Sequence, residues 1–362
     1  MEETKIKVVW ICHFSNEEMC EHLNLYKSTP EYASWIPNTL KGFEDREDIE
    51  MHVITPFQYL KKFSKLKIRN INYYFVPYGI PLINRHYPAI IPLDALGNYH
   101  RFRAKVKKIV NEINPDIINL IGAENSYYSS AILDYKEKYP ILITIQGFVS
   151  QEIYEKYKIY TLLRIFFELR ILKDFKNFLG ENDTRNYISN FNMNFNFYKA
   201  FFPVNESLIS EMKDVEKKYD CIYFGRLNKI KGTDDFIKVI SEIKKIKPDV
   251  KGCIVGGGDI EKYKKLAEEL NCKQNIEFIG FAKNQKELFR YVKSSKVFLA
   301  PPYFERLSST IRESMFLKVP IVAYATGGIP YINEKDENII LVDRGDYKEM
   351  AKRTSELLND EN

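Results

Sequence analysis

The chain has 362 residues, of which 45% are hydrophobic, 14% aromatic and 28% charged. At about 100–200 residues per domain this length predicts two domains with real cores, and the composition excludes a globally disordered chain. A net charge of +5, from 54 Lys+Arg against 49 Asp+Glu, is too small to mark a nucleic-acid binder.

That small sum hides an uneven distribution. Residues 1–50 carry five basic and eleven acidic side chains. Residues 51–110 carry eleven basic ones (Lys61, Lys62, Lys65, Lys67, Arg69, Arg85, Arg101, Arg103, Lys105, Lys107 and Lys108) against a single acid, Asp94. No apolar run reaches the roughly 18 residues of a transmembrane helix. The opening MEETKIKVVWIC puts acids first and offers only the short apolar run Val8–Cys12, which predicts no signal peptide. Five cysteines (Cys12, Cys20, Cys221, Cys253 and Cys272) form no CxxC pair and are odd in number. Reduced, packed thiols in a cytoplasmic protein are therefore expected, not a disulfide framework or a zinc site.

In chain order, Ile6–Cys12, Met51–Thr55 and Tyr73–Pro77 read as strands. Phe102–Ile113 reads as a helix, Ile117–Leu120 as a strand, Tyr128–Tyr139 as a helix and Ile141–Ile145 as a strand. Tyr154–Leu179 has aromatics and leucines at helical spacing. Ser189–Val204, Asn- and Phe-rich with no clear period, reads as an interdomain linker. The second half is more regular. Strands at Cys221–Gly225, Gly252–Val255, Ile276–Phe281, Val297–Ala300, Ile321–Ala325 and Ile339–Val342 alternate with helices. Those helices are Thr233–Ile246, Ile260–Leu270, Gln285–Ser294, Thr310–Leu317 and Tyr347–Leu358. Short apolar strands alternating with amphipathic helices predict parallel, doubly wound sheets covered on both faces. The result is an α/β chain of two Rossmann-like domains. Such sheets bind ligands beyond the carboxyl ends of their strands, so two of them facing each other make a cleft there.

Three segments could carry chemistry. In Tyr223–Gly232, a strand ends at Gly225 and Arg226 and Lys231 follow before a helix. Two cations at a strand's carboxyl end can neutralise a diphosphate, although they also suit a solvated basic turn. In Phe304–Pro320, Glu305 lies just past a strand, and Ser308, Ser309 and Thr310 stand where a helix begins. Free N–H groups and the helix dipole favour a phosphate at that point. Glu313, eight residues after Glu305, could accept hydrogen bonds from a ribose diol. It could equally complete a capping box with Thr310 and need no ligand. The glycine run of VGGGD, Gly256–Gly258, fails the GxGxxG pattern and suits a tight strand-to-helix turn.

Together, in this order and spacing, the segments resemble the donor-binding domain of GT-B glycosyltransferases of family 4, the retaining, nucleotide-sugar-using group. That family shows R-x4-K-G, here Arg226–Gly232. It shows a glycine-rich turn, here Gly256–Gly258, and E-x7-E, here Glu305 and Glu313. A small-residue–Met pair (Ser314-Met315), a Pro-led apolar strand (Pro320–Ala323) and a Gly-Gly pair (Gly327-Gly328) follow. The resemblance is strong over about residues 220–345 and looser over 1–200.

It implies a GT-B fold with an acceptor-side domain and linker over 1–200, a donor-binding domain over 201–345 and a C-terminal helix over 346–362. It implies that Arg226 and Lys231 hold the donor diphosphate and that Glu305 meets the transferred sugar. Gly225, Gly257, Ser308, Ser309, Thr310 and Glu313 would complete the donor site, with neither metal nor cofactor. The expected reaction moves a sugar from a nucleotide-diphosphate-sugar to a glycan or polyprenyl-linked glycan acceptor in surface polysaccharide assembly. The leaving diphosphate is then stabilised electrostatically, without a nucleophile–base pair. A 2-epimerase-like isomerase of the same fold is the alternative, as is a non-catalytic glycosyltransferase partner. The first lacks enough acid/base candidates, and the intact Arg226, Lys231, Glu305 and Glu313 oppose the second.

The chain departs from the family pattern in three places. Gln146 stands where many members carry a His, so no side chain can titrate there. His13, in the loop His13-Phe14-Ser15-Asn16, replaces glycines; it could touch donor or acceptor, or be merely structural. Glu305-Arg306-Leu307-Ser308 replaces Glu-Gly-Phe-Gly. Residues 61–69 and 101–108 read either as two solvated helix faces or as a surface for an anionic membrane, which would place the enzyme peripherally on the inner leaflet.

Overall fold

The computed structural model describes residues 5–14, 17–24, 33, 35–57, 60, 62–78, 93–151, 159–200, 203–305 and 308–360. The chain divides into two compact units, Met1–Pro203 and Val204–Asn362.

The first unit runs β1 (Ile6–Ile11), α1 (Glu17–His22), α2 (Trp35–Lys41), β2 (Ile49–Pro56), β3 (Ser64–Ile68), β4 (Ile71–Val76), α3 (Leu93–Leu96), α4 (His100–Ile113) and β5 (Ile117–Ile121). It continues through α5 (Ser126–Ser129), β6 (Ile141–Thr144), α6 (Ile159–Asp174), β7 (Asn177–Gly180), α7 (Asn182–Ile188) and β8 (Asn196–Lys199). Among the described residues these strands form one sheet in the order β3-β4-β2-β1-β5-β6-β7-β8. All neighbours are parallel except β3, which turns back on β4. α4 shows why such elements form. Phe102, Val106, Ile109, Val110 and Ile113 are buried at helical spacing, so one stripe covers the sheet while Arg101, Lys105 and Lys108 stay in water. Asn114 ends the helix in the left-handed conformation with φ 49°.

The structure corrects three expectations in this unit. Residues 64–68 form a strand, not a helix face. Lys65 and Lys67 are exposed, whereas Ser64, Leu66 and Ile68 are half-buried, a two-residue period. Lysines on an edge strand also discourage a further strand from adding. Tyr128–Tyr139 is not one helix. α5 is short and gives way to a 3-10 turn over Ser130–Asp134. Buried hydroxyls tie the segment back to the end of β5: Tyr128 donates to the Ile121 carbonyl at 2.7 Å and Ser129 to that of Ala123 at 3.0 Å. Asn196–Lys199, read as linker, is the last strand of the sheet, paired in parallel with β7.

The second unit runs α8 (Glu206–Ser210), β9 (Tyr219–Phe224), α9 (Thr233–Lys244), β10 (Gly252–Val255), α10 (Ile260–Glu269), β11 (Ile276–Gly280), α11 (Gln285–Lys293), β12 (Ser295–Ala300), α12 (Ser309–Phe316), β13 (Ile321–Tyr324), β14 (Ile340–Val342) and α13 (Tyr347–Asn359). Its all-parallel sheet has the order β11-β10-β9-β12-β13-β14. All six residues of β9 are buried, as a central strand covered on both faces requires. One core layer packs Phe236, Ile240 and Met350 against the sheet, and the other packs Phe289, Val292 and Ile311. The strand order reverses between β9 and β12. That switch point is where two adjacent connections leave on opposite faces and open a crevice.

All five cysteines are free and buried. No helix among the described residues is long and apolar enough to cross a membrane.

Candidate active site

At the switch point lies a cavity of about 210 Å³. The end of β9 contributes Gly225, Arg226 and Lys231 to its wall, β12 and its loop contribute Pro302 and Glu305, and Ser308, Ser309 and Thr310 begin α12.

The loops that carry these residues are pressed together by glycine. A Cβ on Gly256 would lie 1.8 Å from the Gly225 carbonyl oxygen, and one on Gly258 would lie 2.4 Å from that of Leu227. Both glycines have positive φ, and Leu227 N–H bonds the Gly257 carbonyl at 2.8 Å. The glycine run thus lets the β9 and β10 loops lie backbone to backbone. Gly257 itself packs against the Phe281 ring and is not part of the cavity wall.

Lys231 and Glu305 meet across the cavity. Lys231 Nζ lies 2.8 Å from Glu305 Oε2, while Lys231 N–H is tied to Asn228 Oδ1 at 2.8 Å. Beside them, Tyr303 N–H donates to the Ile230 carbonyl at 2.7 Å, and Gly232 sits where a Cβ would lie 1.7 Å from the Pro301 carbonyl oxygen. The third loop, after β13, grips Glu305 from behind. Gly328 N–H donates to the Glu305 carbonyl at 3.2 Å, and a Cβ on Gly327 would lie 1.7 Å from that same oxygen. Arg226 is exposed at the mouth, its carbonyl fixed by the Tyr223 hydroxyl at 2.8 Å.

Ser308 is the N-cap of α12 and accepts from Ile311 N–H at 3.3 Å. Thr310 lies inside the helix, so the Thr310–Glu313 capping box does not form. Glu313 instead is buried a turn further on and accepts from Gln285 Nε2 at 3.2 Å. Gln285 Oε1 in turn accepts from Asn205 Nδ2 at 3.1 Å. Burial pushes the Glu313 carboxyl up to about 7, against the Gln285 hydrogen bond and the Arg312 charge. Glu313 is not part of the cavity wall.

The sequence did not point to Asp235. It is buried in the first turn of α9 and accepts from the Tyr303 hydroxyl at 2.7 Å, the Tyr324 hydroxyl at 2.9 Å and Lys238 Nζ at 2.7 Å. Two residues before Glu305, Tyr303 thereby locks the β12 loop to α9. An Asp early in a helix normally serves the dipole, which disguised this role.

Residues 205–362 match the family of glycosyl transferases group 1. An uncharacterized glycosyltransferase from Methanocaldococcus jannaschii is 26% identical over 83% of this chain and 69% of its own length. The capsular polysaccharide biosynthesis glycosyltransferase CapM of Staphylococcus aureus is 26% identical over 38% of this chain and 36% of its own length. The sucrose-phosphate synthase of Thermosynechococcus elongatus shares the fold, with a TM-score of 0.73 at 15% identity over 98% of this chain and 90% of the synthase.

The chain has the GT-B fold, and its second unit is a glycosyl transferases group 1 domain. The cavity lies within that unit.

The two candidates in the first unit follow strands of the other sheet. His13 follows β1, which neighbours β5 where that strand order also reverses. Its Nδ1 shares a hydrogen bond with the Tyr127 hydroxyl, and its ring meets Tyr127 and Tyr128 edge-on at 5.4 and 6.2 Å. Burial lowers its pKa to about 3, so the imidazole is neutral at physiological pH. Gln146 is half-buried just past β6. The turn that follows it is held by buried Glu168 of α6, which accepts from the N–H groups of Val149 at 2.6 Å and Ser150 at 3.2 Å and from the Ser150 hydroxyl. Burial raises Glu168 to about 7, against those hydrogen bonds and the Arg164 charge. Ser15, Asn16, Arg306 and Leu307 lie outside the described residues.

The basic stretch is partly neutralised by acids from outside it. Arg69 pairs with Glu44 and Glu18, and Arg103 pairs with Asp134. Lys61 and Arg85 lie outside the described residues.

Proposed function

We propose that this protein is a family 4, retaining glycosyltransferase that transfers a hexose from a nucleotide-diphosphate-sugar to a glycan or polyprenyl-linked glycan, in surface polysaccharide assembly. The observation that carries the reading is the convergence of Arg226, Lys231, Glu305 and the start of α12 on one cavity at the switch point. Two cations and a helix N-terminus concentrate positive charge where a diphosphate would leave, so charge developing on the leaving oxygen is stabilised by groups already in place. Charge neutralisation then comes from the protein's own groups, without a metal ion or other cofactor. Glu305 offers acceptor oxygens to sugar hydroxyls. The name of CapM supports the polysaccharide role.

The first unit takes the acceptor in this reading, through Gln146 and His13. The α4 row of Arg101, Lys105 and Lys108, all exposed, suits the anionic inner face of a plasma membrane, at roughly 1 kcal/mol per cation near the surface. A peripheral cytoplasmic enzyme follows. Anionic liposomes should then sediment the protein and neutral ones should not.

A thermal-shift screen against UDP, GDP, ADP, dTDP and CMP tests the donor assignment. At least one should raise the melting temperature, and Lys231→Ala should greatly reduce that shift while keeping its fold. A shift retained in Lys231→Ala would remove the diphosphate role.

A further inference from the structure

We propose that Glu305 makes the site selective for the nucleotide-diphosphate-sugar over the bare nucleoside diphosphate, by occupying Lys231 whenever no sugar is bound. The inference rests on the donor-site reading above.

The geometry is a 2.8 Å ion pair between two residues of the cavity wall, with Lys231 37% and Glu305 16% exposed at their side chains. The backbones that carry the two side chains are held in place. The Lys231 backbone is tied to Asn228, and the Glu305 backbone is gripped by Gly327 and Gly328. Hence the free cavity is less cationic than its two basic residues suggest: Arg226 and Lys231 are opposed by one carboxylate inside the same wall.

Any diphosphate that engages Lys231 must share it with Glu305 or displace it. A nucleotide-diphosphate-sugar carries about −2 and brings hydroxyls that can donate to Glu305, so the displaced carboxylate finds new partners. The bare nucleoside diphosphate carries about −3 at neutral pH, because its terminal phosphate has a second ionisation near 6. It also brings no sugar hydroxyl, leaving Glu305 to face extra negative charge in a partly buried wall. Glu305 therefore costs the product more than the donor. Its two roles are one device: it meets the sugar before transfer, and when the sugar has gone it takes Lys231 back and expels the diphosphate.

The test is calorimetric titration of wild type and Glu305→Gln with UDP, GDP, ADP and dTDP, and with the glucose ester of whichever binds. Glutamine keeps the side chain's size and removes only its charge. The nucleoside diphosphate that binds wild type should bind Glu305→Gln about tenfold tighter, about 1.4 kcal/mol, while its glucose ester gains less than threefold. In a Lys231→Met background the same Glu305→Gln change should gain less than threefold for the diphosphate. Equal or weaker diphosphate binding to Glu305→Gln overturns the inference but leaves the donor site standing. So does a tenfold gain that persists without Lys231, since the effect would then be repulsion alone. Binding of none of the four to either protein overturns the donor-site reading, and the inference with it.

Discussion

The two units are built on the same principle and differ in how much of their chemistry is held by backbone. In the second, the cavity residues sit on loops clamped by backbone contacts: Gly256 on Gly225, Gly232 on Pro301 and Gly327 on Glu305. In the first, the corresponding loop after β6 is held by a side chain, the buried carboxylate of Glu168. Loops pinned by glycine contacts fix their side chains whatever the pH. A loop pinned by one titratable group can be released by its protonation. In the proposed reading the backbone-pinned loops serve the donor and the carboxylate-pinned loop the acceptor.

The largest effect expected from this comparison is on transfer itself. Lys231→Ala should lower the transfer rate at least about 100-fold, as loss of a principal charge-stabilising group does, with the melting temperature little changed. Activity within threefold of wild type would show that the second unit's cavity is not where the diphosphate leaves.

Next comes the anchor beneath the cavity. Asp235→Ala strands the buried Tyr324 hydroxyl and the half-buried Tyr303 hydroxyl and should destabilise the protein by about 2 kcal/mol, whereas Tyr303→Phe should cost about 1 kcal/mol. Tyr303→Phe should also weaken nucleoside diphosphate binding a few-fold through the Glu305 loop. Denaturant melts and titrations check both. An Asp235→Ala protein as stable as wild type would show that the loops need no such anchor.

A smaller change separates the units. In Glu168→Gln the hydrogen bonds to Val149 and Ser150 are weakened, so the apparent KM for acceptor should rise about three- to fivefold. Donor binding should stay as in wild type. If donor affinity falls instead, Glu168 is not specific to the acceptor side.

The remaining effect is a pH dependence and concerns Glu313. Burial raises its carboxyl from the ordinary 4.5 to about 7, so between these pH values the native state holds a proton that the unfolded chain has lost. The stability of the protonated form is complete below about pH 4.5 and declines as pH rises to about 7, by up to about 3 kcal/mol. Glu313→Gln removes this dependence. Its melting temperature should therefore rise relative to wild type between pH 5 and pH 8. Glu168 titrates in the same direction but is present in both proteins and cancels. A difference that stays flat over that range would mean Glu313 is ionised in the native protein without cost.

The regular part of the chain was readable because local pattern and tertiary role agree there. The predicted strand Gly252–Val255 matches β10 at both ends, and the predicted helix Gln285–Ser294 differs from α11 by one residue. Apolar four-residue runs bounded by glycine or charge have few other uses. Agreement was lost where side chains overrode pattern. The aromatic spacing of Tyr128–Tyr139 is helical, yet hydroxyls of Ser129 and Tyr128 tie the segment back to the end of β5, and it holds only a short α turn and a 3-10 turn. Asn196–Lys199 carries asparagine and an exposed face that suit a loop, and only pairing with β7 makes it a strand.

The same division runs through the site. The sequence by itself determined which residues stand at strand ends and helix starts, because spacing along the chain fixes those positions: Arg226, Lys231, Glu305 and Ser308–Thr310. Only the tertiary structure decided that Lys231 and Glu305, 74 residues apart, form an ion pair. It also decided that Glu313 is held by Gln285 and that Asp235 anchors Tyr303. Each of those is a contact between segments distant in sequence. Its energy depends on burial and on which neighbours are already satisfied, and no local period records either.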